Sequence, residues 1–230
     1  MKHFLNYVGG QWQAARSGQT FTTQNPADTR EIVADYARGS AADYAAAVQA
    51  AQEAFPKWAG LTPIARGRFL SKAGQILESR KAELAELLTR EEGKTLAEST
   101  GEVQRAIDIF RFFGGLSYTL GGQTIPHDLP SQLLYTRREP LGVVALITPW
   151  NFPIAIPAWK IAPALTYGNT IVFKPADLVP GSAWALVDIL HRAGLPKGVL
   201  NLVMGRGSEV GQIILDHKDV NAITFTGSVN

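Results

Sequence analysis

The feature of this sequence that most constrains its fold is the segment of residues 141–177, which has the pattern strand, turn, helix, strand. Residues 143–147 and 170–173 are short, continuous apolar runs, as in strands buried on both faces. The stretch between them is long enough for a crossover helix, so the segment predicts a βαβ unit with parallel strands. Ligands bind beyond the carboxyl ends of parallel strands, which makes residues 148–153 and 174–177 the first places to search for a site.

Strand and helix patterns continue to alternate after this unit. Further strands are predicted at residues 199–203 and 222–225, and helices at residues 154–167, 181–192 and 208–215. Four strands joined by three crossovers predict an α/β fold with a doubly wound (Rossmann-like) parallel sheet. After the fourth strand come Gly227 and Ser228, a glycine and a hydroxyl at the point where a following helix N-terminus would meet a phosphate.

The first half of the chain is predicted to be mainly helical. Short strands and turns occupy residues 1–39, with a hairpin at Gly9-Gly10. Ser40 is the predicted N-cap of the first of four helices, at residues 41–58, 62–80, 81–92 and 96–118. The last of these is expected to break near Gly114-Gly115. Residues 123–140 then contain a β-prone run between two prolines, which predicts an arm that projects from the body.

Composition excludes several classes of function. A net charge of +2, with acids and bases interspersed, argues against nucleic-acid and membrane partners. The most apolar region is interrupted by four prolines and Lys160, which indicates a buried core. No signal peptide is visible, so a cytoplasmic location is expected. The histidines lack metal-ligand spacing, so no metal is expected, and zero cysteines remove disulfides, thiolate zinc sites and a cysteine nucleophile from these residues.

Two groups of polar residues follow the predicted strands of the first unit. Asn151 lies between two prolines, and a rigid side-chain amide suits an oxyanion hole because it stabilises negative charge without losing a proton. Taken alone, such an Asn is more often a turn former or a helix cap. Lys174 and Asp177 would suit a ribose, as donor and acceptor, or would form a solvated ion pair, and the residues alone leave both open.

Two further motifs are weaker on their own. Gly205, Gly207 and Gly211 are similar to a dinucleotide fingerprint with one residue too many, and taken alone this spacing is better explained by a glycine-rich turn. Residues 91–94, EEGK, are interpreted as the end of a helix and not as a site, because glycine ends helices.

Taken together, the motifs resemble those of the aldehyde dehydrogenase superfamily, in its order and at its spacing. They are TPWNFP (148–153), GNTIVFKPAD (168–177), AGLPKGVLNLV (193–203), GRGSEVG (205–211) and FTGS (225–228), with NPA (25–27) and REEGK (90–94) upstream. The resemblance covers essentially the whole chain. It implies that the chain is the amino-terminal, cofactor-binding part of such an enzyme.

The resemblance implies a role for each matching residue. Asn151 would be the oxyanion-hole amide that holds the aldehyde oxygen. Lys174 would bind the adenosine ribose, and Asp177 would hold its hydroxyls. The other implied cofactor contacts are Ile147 and Trp150 through backbone atoms, Gly207 and Gly211 on the adenine side, Phe225 near the nicotinamide half, and Gly227 with Ser228 at the pyrophosphate.

The implied reaction is the NAD(P)-dependent oxidation of an aldehyde to a carboxylic acid. The position three residues after Lys174 is often Glu in NAD-preferring members, and Asp177 keeps the negative charge that repels a 2′-phosphate. NAD is therefore the expected cofactor, with NADP left open. The runs FKPADLVPGSAWAL and MGRGS resemble semialdehyde dehydrogenases such as the α-ketoglutaric semialdehyde enzymes, with succinic semialdehyde and betaine aldehyde enzymes as near alternatives.

The expected organisation has three parts: amino-terminal hairpins and helices over residues 1–122, a projecting β arm over 123–140, and a sheet core over 141–230. Family members continue beyond FTGS with a nucleophilic cysteine, a base glutamate and a last sheet strand, so the parallel sheet is expected to be incomplete and the chain inactive alone. The arm resembles the segment through which these enzymes oligomerise, which implies a homo-oligomer at full length. The alternative is a non-catalytic remnant that binds nucleotide or pairs subunits.

Overall fold

The computed structural model of this protein describes residues 2–228, except for the side chain of Glu209. In chain order the strands are β1 (His3–Phe4), β2 (Asn6–Val8), β3 (Gln11–Gln13), β4 (Thr20–Asn25), β5 (Asp28–Ala37), β6 (Thr124–Ile125), β7 (Leu134–Tyr135), β8 (Val143–Ile147), β9 (Thr170–Lys174), β10 (Leu200–Leu202) and β11 (Ala222–Phe225). The helices are α1 (Ala41–Ala59), α2 (Pro63–Ser79), α3 (Lys81–Glu92), α4 (Leu96–Leu116), α5 (Ala155–Thr166), α6 (Pro180–Arg192) and α7 (Gly207–Asp216).

A six-stranded sheet forms the centre of the fold, in the order β11-β8-β9-β10-β2-β3. Strands β11, β8, β9 and β10 are parallel, with Val144 of β8 opposite Ile171 of β9. The chain moves from β8 to β9 and β10 on one side and then returns to place β11 on the other side of β8. The predicted α/β class, with a doubly wound, Rossmann-like parallel sheet, is confirmed.

Alternate residues of the parallel strands enter two different cores. Val144 and Leu146 of β8 pack with helices α5 and α6, behind which lie α2, α3 and α4. Val143 and Ala145 pack on the opposite face with Tyr44 of α1 and with α7. Burial on both faces explains why these strand sequences are continuous apolar runs without polar alternation.

The predicted amino-terminal hairpin is confirmed, and it lies in an unexpected place. β2 and β3 turn at Gly9 and Gly10, whose φ angles of 61° and 85° lie in the left-handed region that favours glycine. Tyr7 of β2 pairs with Leu202 of β10 in antiparallel orientation. The hairpin thus extends the central sheet, a pairing between distant segments that leaves no local pattern in the sequence.

The predicted cap of α1 and the predicted end of α3 are confirmed, but the predicted break in α4 is wrong. Ser40 caps α1, and Gly93 ends α3 in the left-handed conformation with φ 92°. Helix α4 continues through Gly114-Gly115 to Leu116. A Cβ on Gly114 would lie 2.5 Å from Oγ of Ser71 in α2. The glycine therefore allows two helices to pack closely, and does not interrupt one of them.

The predicted projecting arm is confirmed as a short antiparallel hairpin. β6 pairs with β7, with Thr124 opposite Tyr135. Its apolar side chains are in contact with solvent, because Leu133 is 76% and Tyr135 is 62% exposed. Within the described part of the chain, no helix combines the length and the apolar character that a membrane crossing requires.

Candidate functional site

The carboxyl ends of three parallel strands meet at one edge of the central sheet. Ile147 at the end of β8 lies opposite both Lys174 in β9 and Phe225 in β11. The pairing continues beyond the strands, since Thr148 N donates to Lys174 O at 3.2 Å and Thr226 N donates to Ile147 O at 3.1 Å. The strand order reverses between β8 and β11, which is where an open α/β sheet binds its ligand.

The loop after β8 presents Asn151 at this edge. The side chains of Asn151 and Trp150 are exposed, while the backbone beneath them is held by a lysine from another element. Nζ of Lys94 donates to the Asn151 carbonyl at 3.0 Å and to Glu102 at 2.6 Å, and it lies 4.4 Å from the centre of the Phe152 ring. The exposed Asn151 side chain thus stands on a backbone whose carbonyl is held in place.

Glu102 connects this loop to helix α5. One carboxylate oxygen pairs with Lys94, and the other accepts from Ile154 N at 2.9 Å and Ala155 N at 3.1 Å, at the first turn of α5. Glu102 is only 2% exposed, and its carboxylate satisfies amides that begin the helix while it pairs with a partly buried cation. Lys94 and Glu102 were not among the predicted site residues. Their role depends on contacts across the fold that no spacing in the sequence reveals.

Lys174 is buried at the carboxyl end of β9, with 5% of its surface exposed. Burial lowers the pKa of its ammonium, and the Asp177 carboxylate partly opposes this fall. Helix α7 begins at Gly207, where an added Cβ would lie 3.6 Å from Nζ of Lys174. The structure therefore brings together two motifs that the sequence left separate, the lysine after β9 and the glycines after β10.

A cavity of about 600 Å³ connects the loop after β8 with the segment after β9. Trp150 lines the cavity on the side of the loop after β8, and Asp177 and Leu178 line it on the side of the segment after β9. Glu91, at the end of α3, is a further lining residue of this cavity. The cavity thus places an acid that the sequence assigned only to a helix end beside predicted site residues.

Glu91 is buried in a network of hydrogen-bond donors. It accepts from Tyr36 Oη at 2.6 Å, from Thr23 Oγ1 at 3.1 Å and from Gly181 N in the first turn of α6 at 2.8 Å. Burial raises the pKa of Glu91 to about 7, although these hydrogen bonds favour the ionised form and lower it. Among the described residues, no group of three or more His, Cys, Asp or Glu side chains could hold a metal ion.

The remaining predicted contacts are less closely gathered. Gly211 lies in the second turn of α7, where an added Cβ would meet none of the described atoms within 4 Å. At Gly227 an added Cβ would lie 2.5 Å from the ring of Phe225, which folds back over it. Ser228 is exposed beyond the same strand end. The structure therefore places Phe225, Gly227 and Ser228 at the site edge and gives no packing reason for Gly211.

A second cavity, of about 490 Å³, lies against α5 and contains a lysine that the sequence analysis passed over. Nζ of Lys160 donates to Oγ1 of Thr224 in β11 at 2.6 Å, and burial lowers the pKa of this ammonium. Partly buried amines of this kind are candidates for acid–base chemistry. In the sequence, the position of Lys160 inside an apolar run was the sign that this lysine is partly buried.

Comparison with known proteins adds to this geometry. Residues 12–230 match the model of the aldehyde dehydrogenase family. The chain is 50% identical over 223 residues to the alpha-ketoglutarate semialdehyde dehydrogenase of Haloferax volcanii, covering 97% of this chain and 46% of that protein. It is 47% identical to the alpha-ketoglutaric semialdehyde dehydrogenase of Bacillus subtilis, covering 98% of this chain and 46% of that protein. The chain spans about half the length of the curated relatives it matches.

Solved structures give the same result. An NAD-dependent aldehyde dehydrogenase from Sinorhizobium meliloti superposes with a TM-score of 0.96 at 34% identity, covering 99% of this chain and 46% of that one. PnpE in complex with nicotinamide adenine dinucleotide superposes with a TM-score of 0.93 at 41% identity, over 99% and 46% of the two chains. Because a family model matches residues 12–230, nearly the whole chain, the chain belongs to the aldehyde dehydrogenase family.

Proposed function

We propose that this chain supplies the cofactor-binding part, and Asn151, of an NAD-dependent aldehyde dehydrogenase that oxidises a semialdehyde to a carboxylic acid. The observation that carries the proposal is the shared sheet edge, where Asn151, the buried Lys174 and residues 225–228 follow three adjacent parallel strands. Relatives at 45–50% identity whose names specify semialdehyde or dioxopentanoate substrates support the substrate class.

The residues at this edge fit a dinucleotide. The Lys174 ammonium offers donors to hydroxyl or phosphate oxygens, and the bare backbone of Gly207 beside it permits close approach of a ligand to the start of α7. Asp177 would accept from ribose hydroxyls, and its charge disfavours the 2′-phosphate of NADP. When bound, NAD would take up a hydride from the substrate carbon. Further proposed contacts are Ile147, Trp150, Gly211, Phe225, Gly227 and Ser228.

Asn151 would act on the substrate oxygen. Its amide N–H donates a hydrogen bond that strengthens as negative charge develops on that oxygen, and it does so without transferring a proton. The hold of Lys94 on the Asn151 carbonyl restricts the backbone, and an oxyanion donor must be fixed before the reaction begins. These 230 residues contain no cysteine, so attack by a thiolate would require a residue outside them.

The three parts of the chain have different proposed tasks. Residues 141–230, extended by the β2-β3 hairpin, form the cofactor-binding core, and residues 1–122 otherwise support it. The arm at residues 123–140 is proposed to pair subunits, because its exposed Leu133 and Tyr135 would be covered in an oligomer. The same surface would serve a non-catalytic subunit-pairing protein, which is the second candidate. A cytoplasmic location stays a prediction from the sequence.

The test of cofactor binding is calorimetric titration of NAD into wild-type protein and two lysine variants. We expect wild type to bind NAD saturably and Lys174→Met to weaken binding about tenfold, because one charge-assisted hydrogen bond is lost. Lys72→Met, which removes an exposed lysine of α2, is the control and should leave binding unchanged. Equal affinities of wild type and Lys174→Met would contradict the assignment of Lys174.

The test of catalysis is an assay of these 230 residues alone with NAD and α-ketoglutaric semialdehyde. We expect no NADH to form, because no thiolate is available for the covalent step. The full-length relative from Bacillus subtilis, assayed in parallel, is the positive control. Turnover by the 230 residues would overturn the proposal that the nucleophile lies outside them.

A further inference from the structure

We infer that Asn6 and Tyr44 are positioning residues for the glycine loop (residues 204–207), holding it in the conformation that receives the adenosine end of the cofactor. The inference rests on the function proposed above. Neither residue lies near the glycine loop in sequence, and neither falls within the short motifs that carry the family resemblance.

The first argument is the hydrogen bonding of Met204, which begins the glycine loop. Oδ1 of Asn6 accepts from Met204 N at 2.9 Å, and Gly39 N donates to Met204 O at 2.7 Å. Both backbone groups of Met204 are thus satisfied by segments from the amino-terminal region. The direction in which the chain leaves β10 therefore depends on β2 and on the residue before the α1 cap.

The second argument is close packing against the same region. The Tyr44 hydroxyl, fully buried, donates to Val203 O at 2.6 Å. A Cβ on Gly39 would lie 2.2 Å from Cγ1 of Val203, and a Cβ on Gly205 would lie 3.0 Å from Gly39 O. The amino-terminal segment and the glycine loop are in backbone contact, so the loop has no room to shift toward α1.

The third argument is the incomplete bonding of Asn6 itself. Asn6 is 1% exposed, and among the described atoms its Nδ2 group has no hydrogen-bond partner. A buried donor without a partner lowers folding stability, and a leucine of similar size would avoid that loss. This loss of stability is offset by the hydrogen bond that Oδ1 of Asn6 accepts from Met204 N. An acceptor retained at this cost is expected where the position of the loop matters for function.

The loop position bears directly on the ligand. Gly207 ends the glycine loop and begins α7, and an added Cβ there would lie 3.6 Å from Nζ of Lys174. Gly207 follows Met204 by only three residues, so the position of Met204 bears on the backbone beside this ammonium. Loss of the Asn6 or Tyr44 contact should therefore weaken binding of the adenosine portion of NAD.

The experiment measures dissociation constants of NAD and AMP by calorimetry for wild type and Asn6→Leu. Asn201→Leu is the matched control, since Asn201 is a fully buried amide on β10 whose hydrogen bonds go to Gly9 N, Gly198 O and Ile171 O, and none of them to the glycine loop. We expect Asn6→Leu to raise the dissociation constants of NAD and AMP about fivefold, which corresponds to the loss of one hydrogen bond. Asn201→Leu should lower the thermal midpoint while leaving both constants unchanged.

Tyr44→Phe keeps the inference testable if Asn6→Leu fails to fold, because it removes one hydroxyl group and leaves the aromatic ring in place. We expect Tyr44→Phe to raise both dissociation constants about threefold and to lower the thermal midpoint less than Asn201→Leu does. If wild type binds neither ligand, the proposed function fails and the inference fails with it. If wild type binds and the foldable loop variants bind as tightly, the inference alone is overturned.

Discussion

Glu91 shows how a single residue can couple stability to pH. Its carboxyl group has an ordinary pKa of 4.5, which burial raises to about 7 in the folded protein. Between these values the folded state retains a proton that the unfolded state has released. The free energy of unfolding should therefore fall as the pH rises through this window, by roughly 3 kcal/mol in total from this group. Below pH 4.5 the stabilisation is fully present, and above pH 7 it is lost.

The measurement is urea denaturation of wild type and Glu91→Gln at several pH values from 4.5 to 7.5. The amide resembles the neutral acid in shape and does not titrate, so we expect the variant to lose this part of the pH dependence. Glu86→Gln, on the exposed face of the same helix α3, is the control and should follow wild type. A wild-type stability that rises steadily from pH 5 to 7 would contradict the assignment.

At the scale of elements, the contact between α2 and α4 depends on glycines inside helices. A Cβ on Gly114 would lie 2.5 Å from Oγ of Ser71, whereas a Cβ on Gly101 in the same helix would meet none of the described atoms within 4 Å. We expect Gly114→Ala to lower the free energy of unfolding by about 1–3 kcal/mol through overpacking. Gly101→Ala should raise it by about 0.5–1 kcal/mol, because alanine favours a helix.

Thermal and urea denaturation of the two variants test this difference. Opposite signs are expected, although both substitutions add one methyl group to helix α4. Two stabilising substitutions would show that Gly114 does not limit the approach of the helices. The result would also separate the two effects of glycine in a helix, its conformational cost and the space that it leaves.

In the molecule as a whole, the arm at residues 123–140 carries apolar side chains that no other described part of the fold covers, among them Leu133 and Tyr135. If β6 and β7 pair subunits, Leu133→Lys combined with Tyr135→Lys should weaken self-association about tenfold, because each charge would have to leave water. Sedimentation analysis over a range of concentrations measures the shift. Leu215→Lys, at an exposed leucine of α7, is the control. A wild-type protein that stays monomeric throughout would remove the proposed role of the arm.

Most of the elements were predictable because their signals are local. The runs at residues 143–147 and 222–225 match β8 and β11 in full, and Gly93 ends α3 as predicted. Burial of β8 on two faces and the left-handed conformation of Gly93 both leave marks in short windows of sequence. The break predicted at Gly114-Gly115 was wrong because glycine has two uses in helices. Only the neighbouring helix shows which one applies.

The candidate site divides in the same way. Spacing along the chain was enough to predict the parallel strands, the loops that follow them and the family pattern that includes Asn151, Lys174 and Asp177. The folded structure was needed to see that Lys94 and Glu102 support Asn151 and that Asn6 supports the glycine loop. These contacts join segments far apart in sequence, and their value comes from burial and from hydrogen bonds that exist only once the chain is folded.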